Sequence, residues 1–349
     1  MGHLVRSLGV ARRLKDRVDP VIVTLSKAFA VAESDGIHAE YLPFSRHIDL
    51  DVREWIVHLL AEMAEILAFH QPEVLVFDGN VPYQGLLDAK ARFPNIWSVW
   101  QRRGMWAPDQ GKETIKRDEK FDAMIEPGEL AAAFDRGPTR GRRDRTRLVA
   151  PMRYLHPSEA LSRSAARHEL GIPQGATAVL LQLGSGNNFN RDLALGLLLK
   201  RLTAQPNLRV YYASWRIEHK VADLPDGVER LTLFPYAKYL AAFDFAFAAA
   251  GYNTFHENIF SALPTVFVPN ESPEQDEQLR RGQFAELCNL GRVARASVPQ
   301  EVTRAATELL DPEARHAIVE ACKALDQENG ADTAADFITE LAFTRRRLA

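Results

Sequence analysis

Cysteine is scarce in this 349-residue sequence: Cys288 and Cys322 are the only two. Neither their number nor their spacing suits a structural zinc site or a disulfide framework, and a reducing cytoplasm fits. Long hydrophobic runs are missing too, with none reaching the ~18–20 residues of a membrane-spanning helix. Arg6, Arg12 and Arg13 break up any apolar signal-peptide core at the N-terminus. These features place the expected setting in the cytoplasm or at the inner face of a membrane. An excess of one charge is also lacking: 43 Lys and Arg face 46 Asp and Glu, for a net charge of −3. No overall basic field draws the chain to nucleic acid.

What is present is the composition of a globular protein, 46% hydrophobic and 26% charged, at a length that suits two α/β domains better than one core. Leu4, Leu8, Ala11 and Leu14 recur at helical spacing, which predicts an amphipathic helix over 3–15. Strands are expected at 21–25 and 37–44. A long helix follows, with Val52, Trp55, Ile56, Leu59, Met63, Ile66 and Leu67 on one face. Further strands are expected at 73–77, 96–100 and 121–125. The Arg-, Gly- and Pro-rich stretch 135–147 shows no apolar period and reads as a surface loop leading into a linker near 148–157.

The second half alternates more cleanly. Strands are expected at 179–183, 208–213, 228–234, 243–248, 265–268 and 292–294, and helices at 191–204, 253–262, 276–288 and 299–309. Residues 312–349 read as helical. Short apolar strands alternating with helices argue for a parallel sheet covered on both faces.

In such a sheet, ligands bind beyond the carboxyl ends of the strands, so the loops after strands matter most. Three of them carry suitable chemistry. The first holds Gly184, Ser185 and Gly186, small residues that let backbone N–H groups approach an anion; a ligand-free tight turn explains them equally well. The second holds Gly251, Asn253 and Thr254, with Glu257 about one turn further on. Here the glycine is expected to ease the turn, Asn253 or Thr254 to cap a helix and touch a phosphate, and Glu257 to accept hydrogen bonds from adjacent hydroxyls. An ordinary helix start with a solvated acid is the plainer alternative. The third holds Asp276 and Gln278, whose acid and amide groups suit sugar hydroxyls; a polar loop with a helix cap would look the same.

Gly251, Tyr252, Asn253, Thr254 and Glu257, followed some twenty residues later by Asp276 and Gln278, resemble the donor-binding signature of GT-B glycosyltransferases. The similarity is greatest to the bacterial family (glycosyltransferase family 28 type) that includes the lipid II UDP-N-acetylglucosamine transferase. Recognisable motif is confined to about 180–295. The resemblance implies an α/β protein of two Rossmann-like doubly wound domains facing a cleft. It places an acceptor-side domain at 1–148, a nucleotide-sugar domain at 149–325 and a helical segment at 326–349. It further implies that Gly184, Ser185, Gly186, Gly251, Asn253 and Thr254 receive the donor diphosphate, that Glu257 binds ribose and that Asp276 and Gln278 bind the sugar. The histidine found before the turn in the plant branch is replaced by Ala249-Ala250.

Family members begin with a strand, then a glycine-rich loop ending in Gly-His. This chain begins at Met1-Gly2-His3. The resemblance therefore implies an N-terminal domain lacking its first, central strand, explained either by a natural start upstream of Met1 or by a rearranged, less stable domain. His3 is the expected catalytic base, because a histidine titrates in the useful range; by itself it would read as a surface histidine at a frayed end. Asp78, Asn80 and Trp100 are expected on the acceptor side, where Trp97, Trp100 and Trp106 cluster beside Arg102 and Arg103; a half-buried strand with its following loop explains the tryptophans equally well. The basic stretch from Arg136 to Arg147 reads first as a solvated loop and second as a contact for anionic lipid.

The expected activity is transfer of a hexose or N-acetylhexosamine from a UDP-sugar to a lipid- or polysaccharide-linked acceptor. It is expected to invert the anomeric centre and to use no metal and no cofactor beyond the UDP-sugar co-substrate. Two alternatives share the fold: an enzyme similar to UDP-N-acetylglucosamine 2-epimerase, and a non-catalytic partner protein that binds nucleotide-sugars.

Overall fold

A computed structural model describes residues 1–184, 191–214, 223–272 and 276–348, with side chains to residue 344. The chain clusters into two compact units. One comprises Met1–Glu129, Arg136–Tyr154 and Asn329–Ala349; the other comprises Leu130–Asp135 and Leu155–Glu328.

The first unit opens with α1 (Gly2–Leu14), β1 (Val21–Thr24), α2 (Ala30–Ser34), β2 (His38–Tyr41) and α3 (Val52–His70). It continues with β3 (Val74–Asp78), α4 (Gln84–Ala91), β4 (Trp97–Gln101), β5 (Ala123–Pro127) and β6 (Thr146–Val149). All its pairings are parallel. Strands β3, β4, β5 and β6 form one sheet in that order, while β1 and β2 form a separate pair. Among the described residues, β1 hydrogen-bonds to no strand but β2, and β3 to none but β4. Strands β1 and β3 nevertheless share a core: Val23, Leu75 and Phe77 pack against Trp55, Leu59, Met63 and Leu67 of α3. Helix α3 follows the expected apolar face, starts at Asp51, whose side chain accepts from the Arg53 amide, and stops at a left-handed Gln71. Helix α4 lies close against it at Gly85, where a Cβ would come 2.4 Å from the Ile56 carbonyl oxygen.

The second unit holds α5 (Arg163–Leu170), β7 (Thr177–Gln182), α6 (Asp192–Thr203), β8 (Leu208–Ala213) and β9 (Val228–Leu231). Then come β10 (Phe245–Ala249), α7 (Tyr252–Phe260), β11 (Thr265–Val268), α8 (Gln278–Leu287), β12 (Arg292–Val293), α9 (Pro299–Leu310) and α10 (Pro312–Lys323). Its sheet is wholly parallel, in the order β12-β11-β10-β7-β8-β9. Numbered within this unit, the order is that of a dinucleotide-binding fold. Its central strands β7, β10 and β11 are buried on both faces. One face packs on α6, α7 and α9 through Leu198, Phe255 and Val302. The other packs on Ala166, Leu240 and Leu263.

The chain ends with α11 (Gly330–Leu348), whose residues belong to the first unit. Small residues permit close contact there: Ala331, Ala334 and Ala335 meet Val10 and Leu14 of α1 over Val99 and Ile125 of the sheet. The Asn329 side chain fixes the helix start, accepting from the Arg153 amide at 3.0 Å and donating to its carbonyl at 3.2 Å. Beside it, a Cβ on Gly330 would fall 1.8 Å from the Ala150 carbonyl oxygen.

The basic stretch is largely the solvated loop expected, with Arg136, Arg140, Arg145 and Arg147 exposed, but part of it is tied down. Arg142 pairs with Asp118 at 2.7 Å and with Glu119 at 3.1 Å, Arg143 pairs with Glu126, and Arg145 donates to the Asp118 carbonyl at 3.1 Å. Residues Thr146–Val149 form β6, and the irregular residues after it carry the chain across the boundary between the units at Tyr154 and Leu155, where the linker was expected. An edge strand with few buried side chains gives no apolar alternation, which is why the sequence pattern concealed it.

Candidate functional site

The sheet order of the second unit reverses between β7 and β10, so the loops leaving these two neighbouring strands define its ligand crevice. The loops touch: a Cβ on Gly184 would meet the Ala249 Cβ at 3.6 Å. Gly184 has φ +78°, a conformation that other residues adopt only with strain, so glycine is required for the chain to leave β7 this way. Ser185 and Gly186 lie outside the described residues. Gln182, the last residue of β7, buries its Oε1 with no hydrogen-bond partner among the described residues. The sequence reading passed over it; its signal is an amide at a strand's carboxyl end.

Gly251 has a different purpose from the one the sequence suggested. Its φ of −66° and ψ of 151° are open to any residue, so no steric need for glycine arises from the turn. A Cβ there would point into space with no protein atom within 4 Å. Gly251, and neither Asn253 nor Thr254, is the N-cap of α7, and it brings no side chain to the first turn. Asn253 and Thr254 are the second and third helical residues, where backbone N–H groups point out of the helix start and its dipole favours an anion. Glycine thus leaves the approach to this helix end clear.

Glu257 is buried on α7, one turn beyond Asn253. Next to it, His256 is structural: its Nδ1 lies 2.7 Å from the Tyr252 carbonyl oxygen, and its Nε2 accepts from the Leu130 amide at 3.2 Å. That bond fastens the short segment Leu130–Asp135 to this unit. After β11, Asp276 and Gln278 come together and are also buried. The Gln278 Nε2 lies 3.4 Å from Asp276 Oδ1, while its Oε1 accepts from the Asn270 amide at 3.1 Å. The cap of α8 is Glu277, so Asp276 has no capping role.

Arg281, which the sequence reading passed over, organises this corner. Its side chain has no exposed surface; Nη1 donates to Asp276 Oδ2 and lies 3.3 Å from the Ala250 carbonyl oxygen. The guanidinium also sits 5.9 Å from the Tyr252 ring centroid. One residue thereby joins the loop after β10 to the acid after β11. Its only signal was an arginine one turn into the helix that follows Asp276.

In the first unit, His3 stands in the first turn of α1 and Asp78 ends β3. His3 Nδ1 lies 2.7 Å from Asp78 Oδ1. Arg6, three residues on and on the same helix face, grips both oxygens of that carboxylate, Nε meeting Oδ2 at 2.8 Å. Gln101 at the end of β4 donates to Oδ2 at 2.6 Å. Asp78 is thus saturated by protein donors and orients His3, where the sequence reading gave it to an acceptor.

Burial alone would push the Asp78 carboxyl upward, but the Arg6 charge and the His3 bond outweigh it and hold the acid far below the usual aspartate range. His3 is moved down from the ordinary histidine value by desolvation, with the Asp78 bond opposing, although 44% of its side-chain surface stays open. A proton on Nδ1, facing the carboxylate, leaves the Nε2 lone pair for an incoming hydroxyl.

Asn80 is half-buried in the turn after β3. Trp100 offers no surface to a ligand: it is fully buried among Phe77, Trp106, Phe121 and Met124, and its Nε1–H donates to the Gly79 carbonyl at 2.8 Å. It braces the Asp78–Asn80 turn from within. Trp106 is buried with it, so the tryptophan cluster is core.

No family model matches the chain. Among curated proteins it is similar to the UDP-N-acetylglucosamine–N-acetylmuramyl-(pentapeptide) pyrophosphoryl-undecaprenol N-acetylglucosamine transferase of Carboxydothermus hydrogenoformans. They are 26% identical over 137 residues, 37% of this chain and 36% of that protein. The match thus spans about a third of the relative's length. Among solved structures, the glycotransferase of kitacinnamycin has a TM-score of 0.65 at 17% identity, covering 97% of this chain and 96% of that one. Acinetobacter baumannii MurG has a TM-score of 0.62 at 15% identity, with coverage of 97% and 96%. S. aureus MnaA, solved with UDP, has a TM-score of 0.67 at 14% identity, with coverage of 99% and 94%. The fold is that of GT-B glycosyltransferases, with two Rossmann-like units in one chain.

Proposed function

We propose that the chain is a glycosyltransferase that moves a hexose or N-acetylhexosamine from a UDP-sugar to an acceptor hydroxyl. In this reading the second unit holds the donor. The diphosphate lies against the Gly184 and Gly251 loops and the start of α7, with Ser185, Gly186, Asn253 and Thr254 contributing. Glu257 binds the ribose hydroxyls. Gln278 and Asp276, braced by Arg281, receive the sugar. The first unit supplies the base: His3 Nε2 takes the acceptor proton as its oxygen attacks the anomeric carbon, and Asp78 keeps the ring oriented and steadies the imidazolium. Direct displacement inverts the anomeric centre. The departing UDP is stabilised by backbone N–H groups and the α7 dipole, with no metal in the step.

The observation that carries this reading is the His3–Asp78 bond. A nucleotide crevice alone would suit a binding protein; an oriented base in the other unit suits transfer to a hydroxyl. The acceptor is proposed to be lipid- or polysaccharide-linked; the curated relative's name gives a pyrophosphoryl-undecaprenol-linked acceptor for that protein.

The test is calorimetric titration of UDP, UDP-glucose, UDP-N-acetylglucosamine, GDP-mannose and thymidine diphosphate, the last because a similar chain was solved with it. UDP release is then measured with glycan and lipid-linked acceptors. Uridine-selective binding with turnover supports the reading. Binding without turnover on any acceptor favours a non-catalytic nucleotide-sugar protein, and no nucleotide binding overturns it.

A further inference from the structure

Outside these elements, two histidines and a glutamate converge on the first unit's surface. His38 and Glu40 are two residues apart on β2 and so share one face of the strand. His70 is the last residue of α3. The Nε2 atoms of His38 and His70 lie 3.1 Å and 3.2 Å from the same atom, Glu40 Oε1. All three ligand-capable atoms fall within 4.8 Å of one another. Bonds of 2.0–2.2 Å in a tetrahedron put neighbouring ligand atoms about 3.3 Å apart, which two of these separations match.

We propose that His38, Glu40 and His70 form a site for a divalent transition metal, with Zn²⁺ as the ion that best fits two imidazoles and a carboxylate. Three protein ligands leave a fourth position for water. The side chains are poised for it. His70 is anchored by the helix end, with 17% of its side chain exposed, while His38 is 61% exposed and free to rotate the short distance that closes the set. The surroundings favour a cation: Glu62 and Glu65 of α3 line, with Glu40 and His70, an open depression of about 570 Å³. A bound ion would tie β2, which pairs with β1 alone among the described strands, to the end of α3.

The experiment titrates Zn²⁺, with Mg²⁺ as control, into the metal-stripped full chain by calorimetry, and follows Co²⁺ by its visible absorption bands. His38→Ala, Glu40→Gln and His70→Ala are compared after circular dichroism confirms that they fold. The expected result is one Zn²⁺ per chain, a tetrahedral Co²⁺ spectrum, little response to Mg²⁺, and at least tenfold weaker Zn²⁺ binding in each variant. Equal Zn²⁺ affinity in wild type and all three variants, octahedral Co²⁺ bands, or no saturable binding would each overturn the proposal.

Discussion

His3 and Asp78 are 75 positions apart in sequence, yet His3 Nδ1 and Asp78 Oδ1 lie 2.7 Å from each other. If that bond sets up a base, His3→Ala should lower kcat by about 10²–10⁴-fold, the usual contribution of general base catalysis. Nucleotide affinity should not move, because no donor residue is touched. Since His3 is shifted down, the acid limb of kcat/KM should inflect below the ordinary histidine value of about 6.5. A pH–rate profile from pH 4.5 to 9 checks this; an inflection above that value counts against it.

Asp78→Asn gives a second, pH-dependent signature. The folded Asp78 is depressed, so its ionisation contributes stability in full above the unfolded value of about 3.9, and the contribution fades as pH falls from there toward the folded value. Wild type should therefore exceed Asp78→Asn in urea-unfolding stability at pH 7, and the gap should narrow below pH 4. A gap independent of pH would mean that packing, not ionisation, is what the asparagine disturbs.

Glu257→Ala should weaken UDP binding by about 1–3 kcal/mol, the loss expected for hydrogen bonds to a charged group. Calorimetric titration measures it directly. Unchanged affinity would remove Glu257 from the ribose site and leave it a structural acid of α7.

Arg281→Met should be costly, because it strands the Asp276 carboxylate against a buried apolar side chain. Breaking one side of a buried ion pair costs about 3–5 kcal/mol. Denaturant unfolding should show a loss of that order, and Asp276→Asn combined with Arg281→Met should recover part of it. A neutral single variant would show that Asp276 is hydrated and not held by Arg281.

The elements legible in the sequence were those with a strong apolar signal. Helix α3 announced itself through Trp55, Leu59, Met63 and Leu67, and every strand of the second unit fell where short apolar runs lie. Helix α5 was invisible because its sequence RSAARHEL buries Ala166 and an arginine, Arg167, which donates to four backbone carbonyls and to Asp244. Strand β6 hid in an arginine-rich stretch because, as an edge strand, it buries few side chains and shows no apolar alternation. Trp100 was misread because aromatic side chains beside arginines look alike on a ligand surface and inside a core. The loops after β7 and β10 were placed by motif, but Arg281 bridging the loop after β10 to Asp276 after β11, and Asp78 gripped by Arg6, are facts of packing. No local pattern encodes them.

Helix α11 has a consequence for how the protein is made. Its alanine face completes the first unit beside α1, so that unit draws on both ends of the chain, while Leu155–Glu328 forms most of the second unit as one uninterrupted stretch. On the ribosome, the nucleotide-type sheet has all its strands before residue 330 is translated. The first unit must wait: Val10 and Leu14 of α1 lack their cover until the last nineteen-residue helix emerges. Helix α1 is therefore sealed only after the second unit has been made, and chains cut short near residue 328 would leave the ribosome with that apolar seam exposed.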